Sequence, residues 1–242
     1  MSGFYGSKVL VDGGSSGIGQ ATAAAFAEAG ARVTIASRSR AKLDAAIAAI
    51  GSAPAAVTVT GIQLDITDDA AVAAYFSSDD TWDHVVVSAA QTPGGPARQL
   101  ALGDAYSAMN SKFWGAYRVA RLVRIREHGS LTLVSGYLAV RPRANSVLQG
   151  AINAALEALG RGLALELAPI RVNTVSPGLI ATPLWDRISA EARETMYAET
   201  AQRLPARRVG QAEDIAHAVL YLAGNGFVTG STILVDGGAV YV

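Results

Sequence analysis

Two short runs in this chain have residue types and spacing suited to holding a phosphorylated ligand. The first is Gly13-Gly14-Ser15-Ser16-Gly17-Ile18-Gly19, directly after a β-branched run and directly before an alanine-rich stretch from Gln20. Glycines at 13, 17 and 19 permit a tight turn, close backbone approach to a pyrophosphate, and close packing of helix on strand. Gly13, Ser15, Ser16, Gly17, Ile18 and Gly19 are the expected contacts. The second run, Ser37-Arg38-Ser39-Arg40, closes the next strand-like segment. A carboxylate at that place would bond the ribose 2′-hydroxyl of NAD. A hydroxyl and a guanidinium suit a 2′-phosphate instead, which arginine holds by charge-assisted bonds. The expected cofactor is therefore NADP(H), selected by Ser37 and Arg38. Arg40 is either a further phosphate ligand or a solvated residue opening a surface helix.

Other chemistry is sparse. There is no cysteine, hence no thiolate nucleophile, disulfide or cysteine metal ligand, and no metal is expected. Of the three histidines, His84 and His128 fall at or before strand starts, at the edge away from the cofactor, and His217 reads as a solvated helix residue.

These groups need a scaffold, and the apolar pattern supplies one. Short runs at Lys8–Val11, Ala31–Ala36, Ala56–Gln63, His84–Ser88, Ser130–Ser135, Arg171–Val175 and Ser231–Val235 alternate with longer helix-like stretches. Most are unbroken apolar runs, as strands are when helices cover both faces of a parallel sheet. The expectation is a doubly wound α/β fold of Rossmann type, with seven mostly parallel strands in a single domain over 1–242. Helices are expected from Asn145 to Leu167 and from Gln211-Ala212-Glu213-Asp214, whose first turn is acidic. Half the 242 residues are apolar, 17% are charged, and mean hydropathy is +0.27, which suits a compact globular protein. Twenty basic side chains balance twenty acidic ones, so no nucleic-acid partner is expected. No apolar run approaches the ~20 residues of a membrane span, and Met1–Gly6 has no basic stretch leading into an apolar one. A soluble, cytoplasmic protein is the expectation.

With these elements in place, the chain resembles the short-chain dehydrogenase/reductase family almost end to end. Besides the glycine turn, the resemblance rests on Leu64-Asp65-Ile66, Asn110, Arg171-Val172-Asn173, Pro177-Gly178 with Thr182, Thr229-Gly230, and Val235-Asp236-Gly237-Gly238. It implies a nicotinamide cofactor lying across the carboxyl ends of the strands. Asp65 and Ile66 would lie by the adenine, with Ser88, Ala89 and Ala90 alongside. Pro177, Gly178, the Ile180 backbone and the Thr182 hydroxyl would surround the nicotinamide. Two departures are mild: Asp12 stands where the family usually has Thr, and Ser88-Ala89-Ala90-Gln91 where it has Asn-Asn-Ala-Gly.

The catalytic pattern departs further. The family's Ser, its Tyr thirteen residues on, and its Lys four beyond fall on Gly136, Gln149 and Asn153. The only lysines are Lys8, Lys42 and Lys112, and none follows a tyrosine at the fourth position. A glutamine cannot pass a proton at ordinary pH, but its amide can donate a hydrogen bond to a carbonyl or water. Asn153 can bond the nicotinamide ribose, and Asn145, Gln149 and Asn153 share one helix face. The catalytic set carried forward is Asn110, Gln149, Asn153 and Tyr137, the last at the correct sheet edge; Tyr106 is a weaker candidate. Ser135 should face the other way, and Arg141 and Arg143 lie in a loop over the pocket. A segment at about 180–200, with Leu184, Trp185, Ile188, Met196 and Tyr197, reads as a substrate flap. The expected activity is an atypical oxidoreductase moving hydride between NADP(H) and a small organic acceptor such as an iminium or quinone-like ring. The alternative is a non-catalytic NADP(H)-binding sensor or assembly subunit. The resemblance also implies a homotetramer or homodimer pairing through the fourth and fifth inter-strand helices and the last strand, where Ala151–Leu165 and Ile233–Val242 are apolar.

Overall fold

A computed structural model describes residues 3–51 and 58–242. The seven expected strands all form: β1 (Lys8–Asp12), β2 (Arg32–Ser37), β3 (Val59–Gln63), β4 (Thr81–Val87), β5 (Arg124–Val134), β6 (Arg171–Pro177) and β9 (Thr232–Val235). They build one sheet in the order β3-β2-β1-β4-β5-β6-β9, and every pairing is parallel rather than most of them. A second sheet of two short strands, β7 (Ile180–Ala181) and β8 (Gly210–Gln211), is not foreshadowed in the apolar pattern. The opening of the expected third strand, at 56 and 57, lies outside the described residues.

Two strands start earlier than their apolar runs. β4 begins at Thr81, so His84 lies inside it, and β5 begins at Arg124, so His128 does too. The first half of β5, Arg124–His128, is largely exposed and polar, while Gly129–Val134 is buried. Residues without a buried face carry no alternation, and a strand there is invisible to periodicity.

Helices α1 (Gly17–Glu28), α2 (Arg40–Gly51), α3 (Asp69–Tyr75), α4 (Leu102–Met109), α5 (Gly115–Leu122), α6 (Val147–Glu166), α7 (Ala190–Arg203) and α8 (Ala212–Gly224) connect or flank the strands. Side chains alternate across a strand, so β1 feeds two cores. Val9 and Val11 join Phe26, Ile215 and Leu222 on one face. Leu10 joins Trp82, Leu131, Leu133 and Leu156 on the other. Between α4 and α5 the helix passes through one stretch of π-helix, Asn110–Trp114, a rare geometry that recurs at functional sites. Ordinary winding resumes at Gly115, where a Cβ would stand 2.6 Å from Ile66 Cδ1.

The Arg171-Val172-Asn173 motif holds the fold rather than the site. Arg171 donates to the Leu222 and Ala223 carbonyls at the end of α8 (2.5 and 2.6 Å), satisfying acceptors a helix terminus leaves free. Asn173 bonds Val228 O and Ser231 N, fixing the loop into β9. Arg171→Met is expected to cost about 2 to 3 kcal/mol. That corresponds to a fall of roughly 4 to 12 °C in Tm, to be read by calorimetry.

Candidate functional site

Strand order reverses at β1, whose neighbours β2 and β4 send their loops apart, and a crevice opens at the carboxyl ends of the strands. It is a cleft of about 1820 Å³. Every residue expected to contact the cofactor lines it: the glycine turn, Ser37, Arg38, Asp65, Ile66, Ser88, Ala89, Ala90, Asn153, Pro177, Gly178, Ile180 and Thr182. The turn is closed so tightly that a Cβ on Gly19 would lie 2.2 Å from Gly13 O. Gly13 itself has φ +77° and would bring a Cβ to 2.6 Å from Ala89 N. Only glycine fits both places, and bare backbone therefore faces the cleft at the start of α1.

At the end near β2, Ser15 Oγ donates to Ser37 Oγ (2.8 Å), and Gln63 Nε2 fixes the Arg38 carbonyl (3.0 Å). The Arg38 guanidinium reaches Gln91 Oε1 (3.0 Å), a neutral acceptor that leaves its charge unspent. Arg40 is ion-paired with Asp44 (2.7 Å) and is not among the lining residues, so of the two readings the solvated helix-opening one matches its position. Lys42, which the motif reading passed over, lines the cleft instead.

Asp12 lies buried at the cleft floor. Burial drives its carboxyl up to about 7, against the lowering effect of the Gly13 and Ala89 N–H groups, and Oδ2 has no partner. Ser88 Oγ turns to the Asp12 carbonyl (2.7 Å).

The other end holds the residues at the catalytic positions. Gln149 lines the cleft, yet its NH₂ donates to the Pro93 carbonyl (2.7 Å) and Oε1 is buried without a partner. A carbonyl can only accept, so the amide is oriented as an anchored acceptor rather than the donor expected from its type. Asn153, one turn on, accepts at Oδ1 from Lys112 Nζ (2.7 Å). Its Nδ2 occupies the space beside Gly136, where a Cβ would come within 2.7 Å. Lys112 also donates to the Ser135 carbonyl (2.7 Å), and Ser135 Oγ donates to Glu157 Oε1 (2.8 Å). Desolvation pulls the Lys112 ammonium down to about 8, with Glu157 opposing.

Tyr137 lines the cleft beneath the Arg143 guanidinium, 5.6 Å from its ring centre. Asn145 also lines it, whereas Arg141 does not. Asn110 does not reach the cleft either; its Oδ1 accepts from Arg118 Nη2 (2.9 Å). Tyr106 is mostly exposed, 69%, on the outer side of α4. Of the flap residues, Leu184, Trp185, Ile188 and Met196 line the cleft, and the Trp185 indole donates to the Ile180 carbonyl (2.9 Å). Among the described residues, no group of three His, Cys, Asp or Glu is placed to hold a metal, and no helix is long and apolar enough to cross a membrane.

A parallel sheet reversing at β1, with a glycine-walled turn opening α1 at that reversal, defines a doubly wound dinucleotide-binding protein. A family model described as enoyl-(acyl carrier protein) reductase matches residues 6–240. A short-chain dehydrogenase/reductase, ucsE, from an Acremonium species is 32% identical, covering 96% of this chain and 94% of its own. The chain belongs to the short-chain dehydrogenase/reductase family of oxidoreductases. A solved small-chain dehydrogenase in complex with NADPH is 36% identical with a TM-score of 0.82, over 98% of this chain and all of the other. The MalC reductase/Diels-Alderase of Malbranchea aurantiaca superposes with a TM-score of 0.91 at 28% identity, over 99% and 98% of the two chains.

The raised Asp12 carboxyl has a signed consequence for stability. Its folded value, about 7, exceeds the ordinary value of an aspartate carboxyl, so the folded chain binds the extra proton between them. The stabilisation is full below pH 4 and is lost as pH rises to about 7, at roughly 1.4 kcal/mol per pH unit. Asp12→Asn is expected to flatten this fall and to raise stability over the parent at pH 8 more than at pH 5. Urea denaturation at the two pH values reads the difference.

Proposed function

We propose that this protein is an NADP(H)-dependent oxidoreductase with an active site of unusual composition, acting on a small organic acceptor. The glycine-walled turn fits a pyrophosphate, since its backbone N–H groups and the positive end of α1 meet at the cleft without a side chain between. The observation that carries the choice of cofactor is the end of β2. Ser37 stands there instead of a carboxylate, and among the described residues neither Arg38 nor Lys42 has an acidic partner. The NADPH complex of a relative 36% identical supports the same reading. Bound in this cleft, NADPH supplies a hydride to the acceptor.

The chain's own residues then hold and orient. Asn153 is placed for the cofactor's ribose, Gln149 is anchored on the Pro93 carbonyl, and Leu184, Trp185 and Met196 line the acceptor end of the cleft. The unusual composition lies in Gly136, Gln149 and Asn153, none of which can release a proton near neutral pH.

Titration by intrinsic fluorescence is expected to give tighter binding of NADPH than of NADH. Arg38→Ala should weaken NADPH by roughly 10- to 100-fold, the loss of about 1.5 to 3 kcal/mol in charge-assisted bonding, and leave NADH nearly unchanged. Equal affinity for the two in the parent would sink the assignment. Binding without oxidation of NADPH by any acceptor would favour the sensor or subunit reading.

Along α4, the π-helical stretch and α5 the chain exposes Tyr106, Trp114 and Tyr117, the last two in edge contact. We infer a homo-oligomer that covers them, a tetramer or dimer, since closed symmetry buries such a face on every copy. Light scattering at micromolar concentration is expected to exceed the 24.9 kDa of one chain; a monomer alone would contradict it.

A further inference from the structure

The reacting end of the cleft lacks an acid at each position where the sequence pattern would put one, yet it contains a proton-bearing cation from elsewhere in the chain. We propose that Lys112, delivered by the π-helical stretch between α4 and α5, is the catalytic proton donor of this active site, and that the acceptor it serves is an uncharged oxo compound: a ketone, enone or quinone. This inference rests on the NADP(H) oxidoreductase reading and adds to it a residue and a substrate class.

Four observations converge on Lys112. First, its ammonium is held rather than free, by the Ser135 carbonyl and Asn153 Oδ1, each at 2.7 Å. An ammonium has three N–H bonds, so one proton remains for a third partner, and Lys112 lines the cleft. Second, the positions around it are built to this arrangement. Asn153 must turn its oxygen to Lys112, because lysine only donates; its NH₂ then falls beside residue 136, in space that a Cβ there would contest at 2.7 Å. Third, the rival donor at residue 149 is already committed, with its NH₂ on Pro93 O. Fourth, the π-helix adds a residue to the turn bearing Lys112, a distortion that costs helix stability and tends to occur where a side chain must be re-aimed.

Ionisation suits the role. Desolvation lowers the ammonium to about 8, and the ionisable group that acts on it is Glu157, from α6, through the opposite effect. Near neutral pH the group is protonated and a far better acid than an ordinary lysine. In the step itself, the acceptor carbon gains a hydride from the reduced nicotinamide, the C=O π pair moves onto oxygen, and that oxygen takes a proton from Lys112 Nζ. The products are an alcohol (or hydroquinone, or saturated ketone by conjugate addition), the oxidised nicotinamide, and a neutral amine that regains its proton from water in the open cleft. A fixed cation beside the acceptor stabilises a developing oxyanion and repels an iminium, which carries positive charge beforehand. Of the two acceptors expected from the sequence, an iminium and a quinone-like ring, the proposal favours the second and extends it to other uncharged oxo compounds.

The test joins a direct titration to kinetics. With ¹³Cε-lysine the protein gives three lysine resonances, from Lys8, Lys42 and Lys112. One is expected to titrate near pH 8 and to vanish in Lys112→Arg. Arginine keeps the charge and cannot release the proton, and Lys112→Met serves as a second variant should arginine disturb the fold. Both are expected to bind NADPH within threefold of the parent while oxidising it at least 100-fold more slowly with cyclohexanone, cyclohexenone or a naphthoquinone. The parent's decline in kcat/KM above pH 8 should disappear with them. An N-methyl iminium cation should be reduced at least tenfold more slowly than the best oxo acceptor. The proposal is overturned by a Lys112 resonance titrating above pH 10, by variants within tenfold of the parent, by a loss of turnover in Tyr137→Phe but not Lys112→Arg, or by a preference for the iminium. A parent that binds NADPH but reduces no oxo acceptor also overturns it and leaves the cofactor reading standing. A parent that binds no NADPH removes both.

Discussion

A strand with parallel neighbours on both sides, whose crossovers leave toward opposite faces, cannot keep its following loop in contact with both neighbouring loops. That constraint, imposed on β1 by the order β3-β2-β1-β4-β5-β6-β9, opens the cleft on which every functional group of this protein depends. The opening persists because no side chain intrudes where α1 leaves β1. Gly19 packs so closely on Gly13 that the helix start is drawn down onto the sheet, and its unpaired N–H groups face the crevice. The buried alternation of Val9, Leu10 and Val11 anchors the same strand into both cores, so the floor of the cleft is rigid from either face.

The two ends of this cleft solve different electrostatic problems. At the β2 end the positive charge is solvated and waits on loose partners, Arg38 on the amide of Gln91. At the β5 end the charge is enclosed. Removing an ammonium from water is costly unless acceptors replace the lost hydration. Here the Ser135 carbonyl and Asn153 Oδ1 do so, and Glu157 supplies the opposite charge through the hydroxyl of Ser135. Ser135 lines the cleft through a carbonyl that accepts from Lys112 while its hydroxyl donates to Glu157, so one residue joins the two side chains.

Much of the scaffold was legible because burial on both faces writes itself as unbroken apolar runs, and because a glycine turn between a strand and a helix has few other uses. The polar start of β5, the short pair β7 and β8 and the π-helix left no such trace, since none of them depends on apolar periodicity. The cofactor face was readable for the same reason as the strands: it is formed by contiguous backbone. The reacting end was not. Lys112 was noticed only as a lysine lacking a tyrosine four residues before it, a rule about neighbours along one helix. Its partners Ser135 and Asn153 lie 23 and 41 residues further along the chain. A lone lysine two residues beyond Asn110, in a segment otherwise expected to face the cleft, was the one available signal. Asn110 misled in the opposite direction, because Arg118, two turns on, takes its side chain.

The fit of Asn153 between Gly136 and Lys112 bears on how such a site is reached by mutation. A serine introduced at 136 meets the Asn153 amide at once, and a lysine introduced at 153 puts a second ammonium against the first, in a place where like charges are weakly screened. A change at 136 or at 153 therefore acts through Asn153 and Lys112 as well as through the residue replaced. Gly136, Asn153 and Lys112 are close enough to be coupled, so changes among them are expected to be non-additive, with Asn153 as the shared partner.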